Sequence, residues 1–102
     1  MTKQDLIQLV FVSGPDHRAP EQISGRAPCT LGRGSTCDII LEDSAGSISR
    51  RHLEILHRDG SWFAMDLGSR NGSFLNANRL PSKQPVELHN ASVLQIGAWA
   101  MR

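Results

Sequence analysis

Three short segments carry the groups best suited to gripping an oxyanion: Gly32-Arg33, Ser49-Arg50-Arg51-His52 and Ser69-Arg70-Asn71-Gly72. A guanidinium offers a planar fork of donors, a serine hydroxyl a single short donor, and an asparagine amide both a donor and an acceptor. The cations are mostly of the forked kind, since nine of the 11 Lys+Arg residues are Arg. Taken singly, each segment is ordinary: a loop arginine is usually solvated, and Asn-Gly is a common turn pair. Brought together, these arginines would repel one another unless an anion joined them. Their meaning therefore depends on whether the fold makes them converge.

The elements that would position them read as short strands. Leu6 to Val12 is rich in branched residues on both faces, and Ser13-Gly14-Pro15-Asp16 ends it. Residues 15 to 26 read as a loop with a short strand around Glu21 to Ser24. Cys29 to Leu31 and Cys37 to Leu41 are strand candidates on either side of the Gly-rich, Arg33-bearing loop. Glu42 to Ile48 is a polar loop. Leu53 to His57 and Trp62 to Asp66 alternate in polarity around Asp59-Gly60, a strong hairpin signal. Phe74-Leu75, Val86 to His89, Val93 to Ile96 and Ala98 to Met101 complete the series. No segment sustains a helical period, so an all-β sandwich or barrel is expected. In a two-sheet sandwich alternate loops emerge at one end, which would bring the three segments together.

Composition narrows the functional classes. The 102 residues suffice for one domain with one core. A formal net charge of +1 gives no broad positive field for a nucleic-acid backbone, so an anion site must be local. No apolar run approaches the ~20 residues of a membrane helix, and Met1 to Val12 lacks the pattern of a secretory signal, which makes the cytoplasm the expected compartment. Cys29 and Cys37 lie in separate strand candidates with no His at metal spacing, and are expected to be reduced and partly buried. No metal or cofactor is called for. Trp62, Phe63 and Trp99 are read as core or sheet-face residues, and His17, His57 and His89 as surface or edge residues.

Order and spacing of the motifs resemble the forkhead-associated (FHA) domain family. The resemblance rests on Leu31-Gly32-Arg33, on Ile48-Ser49-Arg50-Arg51-His52 followed by Leu53-Glu54-Ile55, and on Asp66-Leu67-Gly68-Ser69-Arg70-Asn71-Gly72-Ser73-Phe74-Leu75-Asn76. Each motif alone is weak, but their ordered conjunction is specific. The resemblance spans residues 6–101 and implies an eleven-stranded two-sheet β-sandwich, with binding loops at one end, that reads phosphothreonine peptides. It implies that Arg33 and Ser49 contact the phosphate, with Arg50 as a further donor. Asn71 would bond the peptide main chain, while Gly32, His52 and Gly72 shape the loops. Arg70 departs from the family pattern, where Thr is common at that position, and is expected on the ligand or at its rim. Selectivity for the methyl of phosphothreonine, and for the third residue after it, is implied in residues 43–48 and 68–74.

The partner expected on this basis is a phosphothreonine-containing protein or peptide written by an upstream Ser/Thr protein kinase, with neither nucleic acid nor membrane insertion involved. The chain is expected to be a single domain, 1–102, in the N-terminal part of a longer protein. The alternative is a phosphate-independent assembly surface on the same fold, for example in a secretion apparatus. A hydrolase built from Ser49, His52 and Asp66 is disfavoured, because a Ser and a His three apart near a strand start do not ordinarily meet as nucleophile and base.

Overall fold

Alternation of apolar and polar side chains governs the chain, and nearly every alternating run is a strand. The computed structural model describes residues 6–15 and 18–102. Its strands are β1 (Leu6–Leu9), β2 (Phe11–Ser13), β3 (Glu21–Ser24), β4 (Cys29–Gly32), β5 (Ile39–Ile40) and β6 (Leu53–Arg58). They continue with β7 (Ser61–Asp66), β8 (Phe74–Leu75), β9 (Asn78–Arg79), β10 (Val86–Leu88), β11 (Leu94–Ile96) and β12 (Trp99–Met101). The described residues contain no helix, and two five-stranded sheets, β10-β7-β6-β4-β5 and β2-β12-β11-β8-β9, form the sandwich, with the pair β1-β3 beside them.

One apolar cluster joins the layers. Leu31, Leu53, Ile55 and Ala64 come from the first sheet, Leu94, Ile96, Trp99 and Met101 from the second, and Leu9 and Ile23 from the β1-β3 pair. These alternate with outward-facing neighbours, as in β7, where Trp62, Ala64 and Asp66 are buried and Ser61, Phe63 and Met65 only half so. Trp99 is held further by its indole N–H, which donates to the Glu42 carbonyl at 2.9 Å. Phe11 meets its ring edge-on, with centroids 5.5 Å apart.

The expected fold is present, with differences that have local causes. Leu6 to Val12 is two strands, because Val10 exchanges backbone hydrogen bonds of 2.7 and 2.9 Å with Arg102. The run thus passes from β3 to β12 as its partner. Counted as one bent strand it restores the expected eleven. Cys37 and Asp38 fall outside β5, since the Cys37 N–H closes a turn on the Gly34 carbonyl at 3.1 Å and the Asp38 carboxylate accepts the Thr30 N–H at 2.9 Å. Strand β9 was not expected, because Asn78-Arg79 carries no strand signal and is set only by pairing with β8.

Asp59 and Gly60 have φ of 53° and 81°, so the β6–β7 hairpin uses the turn that this pair favours. His57 is half-buried rather than at the surface, packed on Trp62 with ring centroids 4.8 Å apart. His17 lies outside the described residues. Cys29 and Cys37 are free thiols and more fully buried than expected. Burial, with Asp38, Glu21 and Cys37 adding, pushes the Cys29 thiol up to about 11, which keeps it protonated and unreactive at neutral pH.

Candidate phosphate-binding site

The three motif loops hang from consecutive rungs of one ladder. Leu31 and Gly32 close strand β4, and their carbonyls accept the N–H groups of His52 (2.9 Å) and Leu41 (2.8 Å). The His52 carbonyl in turn accepts the Leu67 N–H at 3.0 Å. The loops 33–38, 41–52 and 67–73 therefore start or end at neighbouring points on the same sheet end. The first two are stitched to each other: the N–H groups of Arg33 and Gly34 donate to the carbonyls of Ser49 (3.2 Å) and Arg50 (3.0 Å). Gly32 is required by that approach, because a Cβ there would collide with the Arg50 carbonyl oxygen.

His52 ties the second loop to the third from inside. It is fully buried, its Nδ1 accepts the Ser49 N–H at 3.1 Å, and its Nε2 lies 2.8 Å from the Gly72 carbonyl. An acceptor at Nδ1 and a carbonyl at Nε2 fix the neutral tautomer with the proton on Nε2. Asp66, buried at the end of β7, anchors the third loop. One carboxylate oxygen accepts the N–H groups of Gly68 and Ser69 at 3.0 Å, and the other accepts the hydroxyls of Ser69 and Ser73. Burial alone would raise its pKa. The hydrogen bonds from Ser69, Ser73 and Gly68 outweigh it and hold the carboxyl below the usual aspartate range. Ser49 Oγ, His52 and Asp66 do not form a nucleophile, base and orienter, since the His52 ring is bonded to backbone groups and Asp66 to its own loop.

Between the loops lies a cleft of about 280 Å³ walled by Arg33, Asp43, Ser47, Ser49, Arg70 and Asn71. Three of the motif side chains in it are each fixed by one local hydrogen bond. Arg33 Nε donates to the Ile48 carbonyl at 2.8 Å. Ser49 Oγ accepts the Arg70 N–H at 3.0 Å. Asn71 Nδ2 donates to the Ser47 carbonyl at 3.0 Å. Each keeps hydrogen-bonding capacity: the terminal guanidinium nitrogens of Arg33, the hydroxyl proton of Ser49, and the Oδ1 and second amide proton of Asn71. The arrangement is a set of immobilised donors around a small polar hollow, suited to a tetrahedral anion.

Of the eight residues singled out in the sequence, Arg33, Ser49, Arg70 and Asn71 meet in the cleft, and Gly32, His52 and Gly72 hold the loops around it. Arg50 is exposed and lies outside the cleft walls, with its carbonyl rather than its side chain engaged. That carbonyl also accepts the Cys37 thiol at 2.9 Å. Asp43 was missed by sequence reading. Its carboxylate accepts the backbone N–H groups of Ser47 (2.9 Å) and Ile48 (2.8 Å), which draws residues 43–48 into a tight loop. Burial would raise the Asp43 pKa, but these bonds and the nearby Arg33 lower it, so it stays ionised. The only signal for this was an Asp opening the loop Asp43-Ser44-Ala45-Gly46-Ser47. A second cleft, of about 300 Å³, is lined by Leu9, Trp62, Leu88 and Arg102 and holds none of the motif residues.

Residues 29–97 match the family described as FHA domain. The chain belongs to the FHA domain family. An FHA domain-containing protein of Arabidopsis thaliana is 34% identical over 91% of this chain, and an oxoglutarate dehydrogenase inhibitor of Corynebacterium diphtheriae is 37% identical over 91% of it. The chain spans 24% and 61% of those two relatives, less than two thirds of either. Among solved structures, the FHA domain of an Arabidopsis thaliana hypothetical protein superposes with a TM-score of 0.81 at 33% identity, over 94% of this chain and 80% of that one. The N-terminal FHA domain of Rad53p from S. cerevisiae, solved in complex with a phosphothreonine peptide, has the same fold. Its TM-score is 0.78 at 19% identity, over 93% of this chain and 90% of that one. The FHA sandwich thus accounts for the sheets, the loop end and the motif order together.

Proposed function

We propose that this FHA domain is a phosphothreonine-dependent peptide-binding module acting downstream of a Ser/Thr protein kinase. The observation that carries the reading is the cleft in which Arg33, Ser49 and Asn71 are each locked by one hydrogen bond and each keep hydrogen-bonding groups free for a ligand. Arg33 and the Ser49 hydroxyl bind the phosphate oxygens, and Asn71 bonds the peptide main chain beside them. Arg70, an exposed residue of the cleft wall, adds charge at the rim. Arg50 supplies longer-range attraction from outside. Preorganised donors lose little freedom on binding, which favours affinity from a small contact area. Membership of a phosphopeptide-reading family and the Rad53 domain's phosphothreonine complex support the same reading. Its function is binding, with no chemical step, cofactor or metal.

Calorimetry with one peptide in three forms tests it: threonine, phosphoserine and phosphothreonine. The phosphothreonine form should bind and the unmodified form should not. The extra methyl should favour phosphothreonine over phosphoserine by about 0.8 kcal/mol, rising to roughly 3 kcal/mol in a tight pocket. Binding should weaken as pH falls through the phosphate's second pKa of about 6, because the dianion is the stronger acceptor. Equal binding of the unmodified peptide would replace this reading with a phosphate-independent assembly surface.

A further inference from the structure

Strand β9 places a cation beside the cleft that belongs to none of the three motifs. Phe74 pairs with Arg79 across the β8–β9 hairpin, and the Leu80 N–H donates to the Ser73 carbonyl at 2.8 Å. In that register Gly72 lies diagonal to Arg79 on the same face, and a long side chain reaches its diagonal neighbour. The Arg79 guanidinium accordingly lies against Gly72, where a Cβ would come within 2.7 Å of Nε and 2.9 Å of Cζ. Gly72 directly follows Asn71, whose side chain walls the cleft.

Arg79 is exposed, and its guanidinium has neither a hydrogen-bond acceptor nor a carboxylate partner among the described residues. The contrast with Arg18 is direct, because Arg18 spends its donors on Glu21 and the Ile40 carbonyl. Arg79 instead lies against Gly72 with its donors unspent. An unpaired arginine beside Gly72, one residue beyond the candidate phosphate cleft, suits a second anionic group on the same ligand. Successive residues of an extended peptide advance by about 3.3 Å, so a peptide crossing Asn71 passes Arg79 within a few residues.

We infer that Arg79 is a specificity-determining residue, which reads an acidic side chain flanking the phosphothreonine on the Asn71 side. The inference rests on the phosphopeptide reading above. It assigns selectivity to β9, outside the segments 43–48 and 68–74 in which the family resemblance would place it.

The test uses synthetic phosphothreonine peptides of neutral sequence in which Asp or Asn is placed singly at each flanking position, titrated into the wild-type chain, Arg79→Gln and Arg79→Lys. At one position on the Asn71 side, wild type should prefer Asp to Asn by roughly two- to fivefold at low salt, and added salt should reduce the preference. Arg79→Gln should abolish that preference while binding the Asn peptides as wild type does. Arg79→Lys should keep part of it. A wild type with no acidic preference, or a preference untouched in Arg79→Gln, overturns the assignment. So does an equal weakening of all peptides, which would make Arg79 only a prop for Gly72. If Arg79→Gln fails to fold, the wild-type preference and its salt dependence, with Arg79→Lys, still decide. Failure of the phosphopeptide reading shows separately, as equal binding of the unphosphorylated peptides.

Discussion

On the proposed reading one side chain, Arg33, does two jobs with different atoms. Its Nε donates to the Ile48 carbonyl, which leaves the donors of its terminal nitrogens unspent in a residue that lines the cleft. Arg33→Ala should weaken phosphopeptide binding by about 2–5 kcal/mol, because it leaves a desolvated phosphate unpaired. Arg33→Lys keeps the charge but not the fork, and calorimetry should place it between the two. Affinity unchanged in the alanine variant would remove Arg33 from the site. Asp66 makes a prediction about stability instead. Its pKa is depressed in the folded state, so its stabilising effect is present above the unfolded value of about 3.9 and is lost as pH falls through the lower folded value. Asp66→Asn should be less stable at neutral pH by about 1–3 kcal/mol, and should lose less of its remaining stability on acidification. Urea denaturation at pH 7 and pH 3 measures both, and parallel losses in the two proteins would contradict the assignment. The motif residues that line the cleft were legible in the sequence through motif order. Asp43 and Asp66 serve the backbone N–H groups of their own loops, and nothing but a favourable spacing of small polar residues announces such work.

At the level of elements, the β8–β9 hairpin is the least legible part of the fold and the one with an evident local flaw. Asn76 and Ala77 occupy its two turn positions with φ of 49° and 71°, a conformation that suits Asn and Gly but not Ala. Ala77→Gly should therefore raise stability by up to about 1 kcal/mol, read as a higher denaturant midpoint with an unchanged slope. A lower midpoint would show that the gain in unfolded-state entropy outweighs the relieved strain. Sequence reading found Asp59-Gly60 because the residue pair and the flanking alternation agreed. It missed Asn78–Arg79 because neither residue favours a strand and the pair is one only through its partner β8. Arg79 was unreadable for the same reason, since its place against Gly72 is a consequence of hairpin register. The strand Leu6 to Val12 shows the complementary limit: its composition predicts a strand, but only the exchange with Arg102 divides it between two partners.

For the whole molecule, the sandwich acts as a rigid frame that turns distant segments into one surface. A single core links both sheets and the β1-β3 pair, so disturbance of the core should loosen the loops together. The seam between β2 and β12 brings Phe11 opposite Met101, and Val10 opposite Arg102. Such pairings close nearly the full length of the described chain. Proteins dominated by contacts of this kind fold on the scale of milliseconds to seconds. During synthesis the Arg33, Ser49 and Asn71 segments all leave the ribosome before the strand that completes the second sheet. Recognition should therefore switch on abruptly rather than motif by motif. A nascent chain stalled with residues 1–98 exposed should neither resist proteolysis nor retain a phosphopeptide, and one stalled with Arg102 free of the exit tunnel should do both.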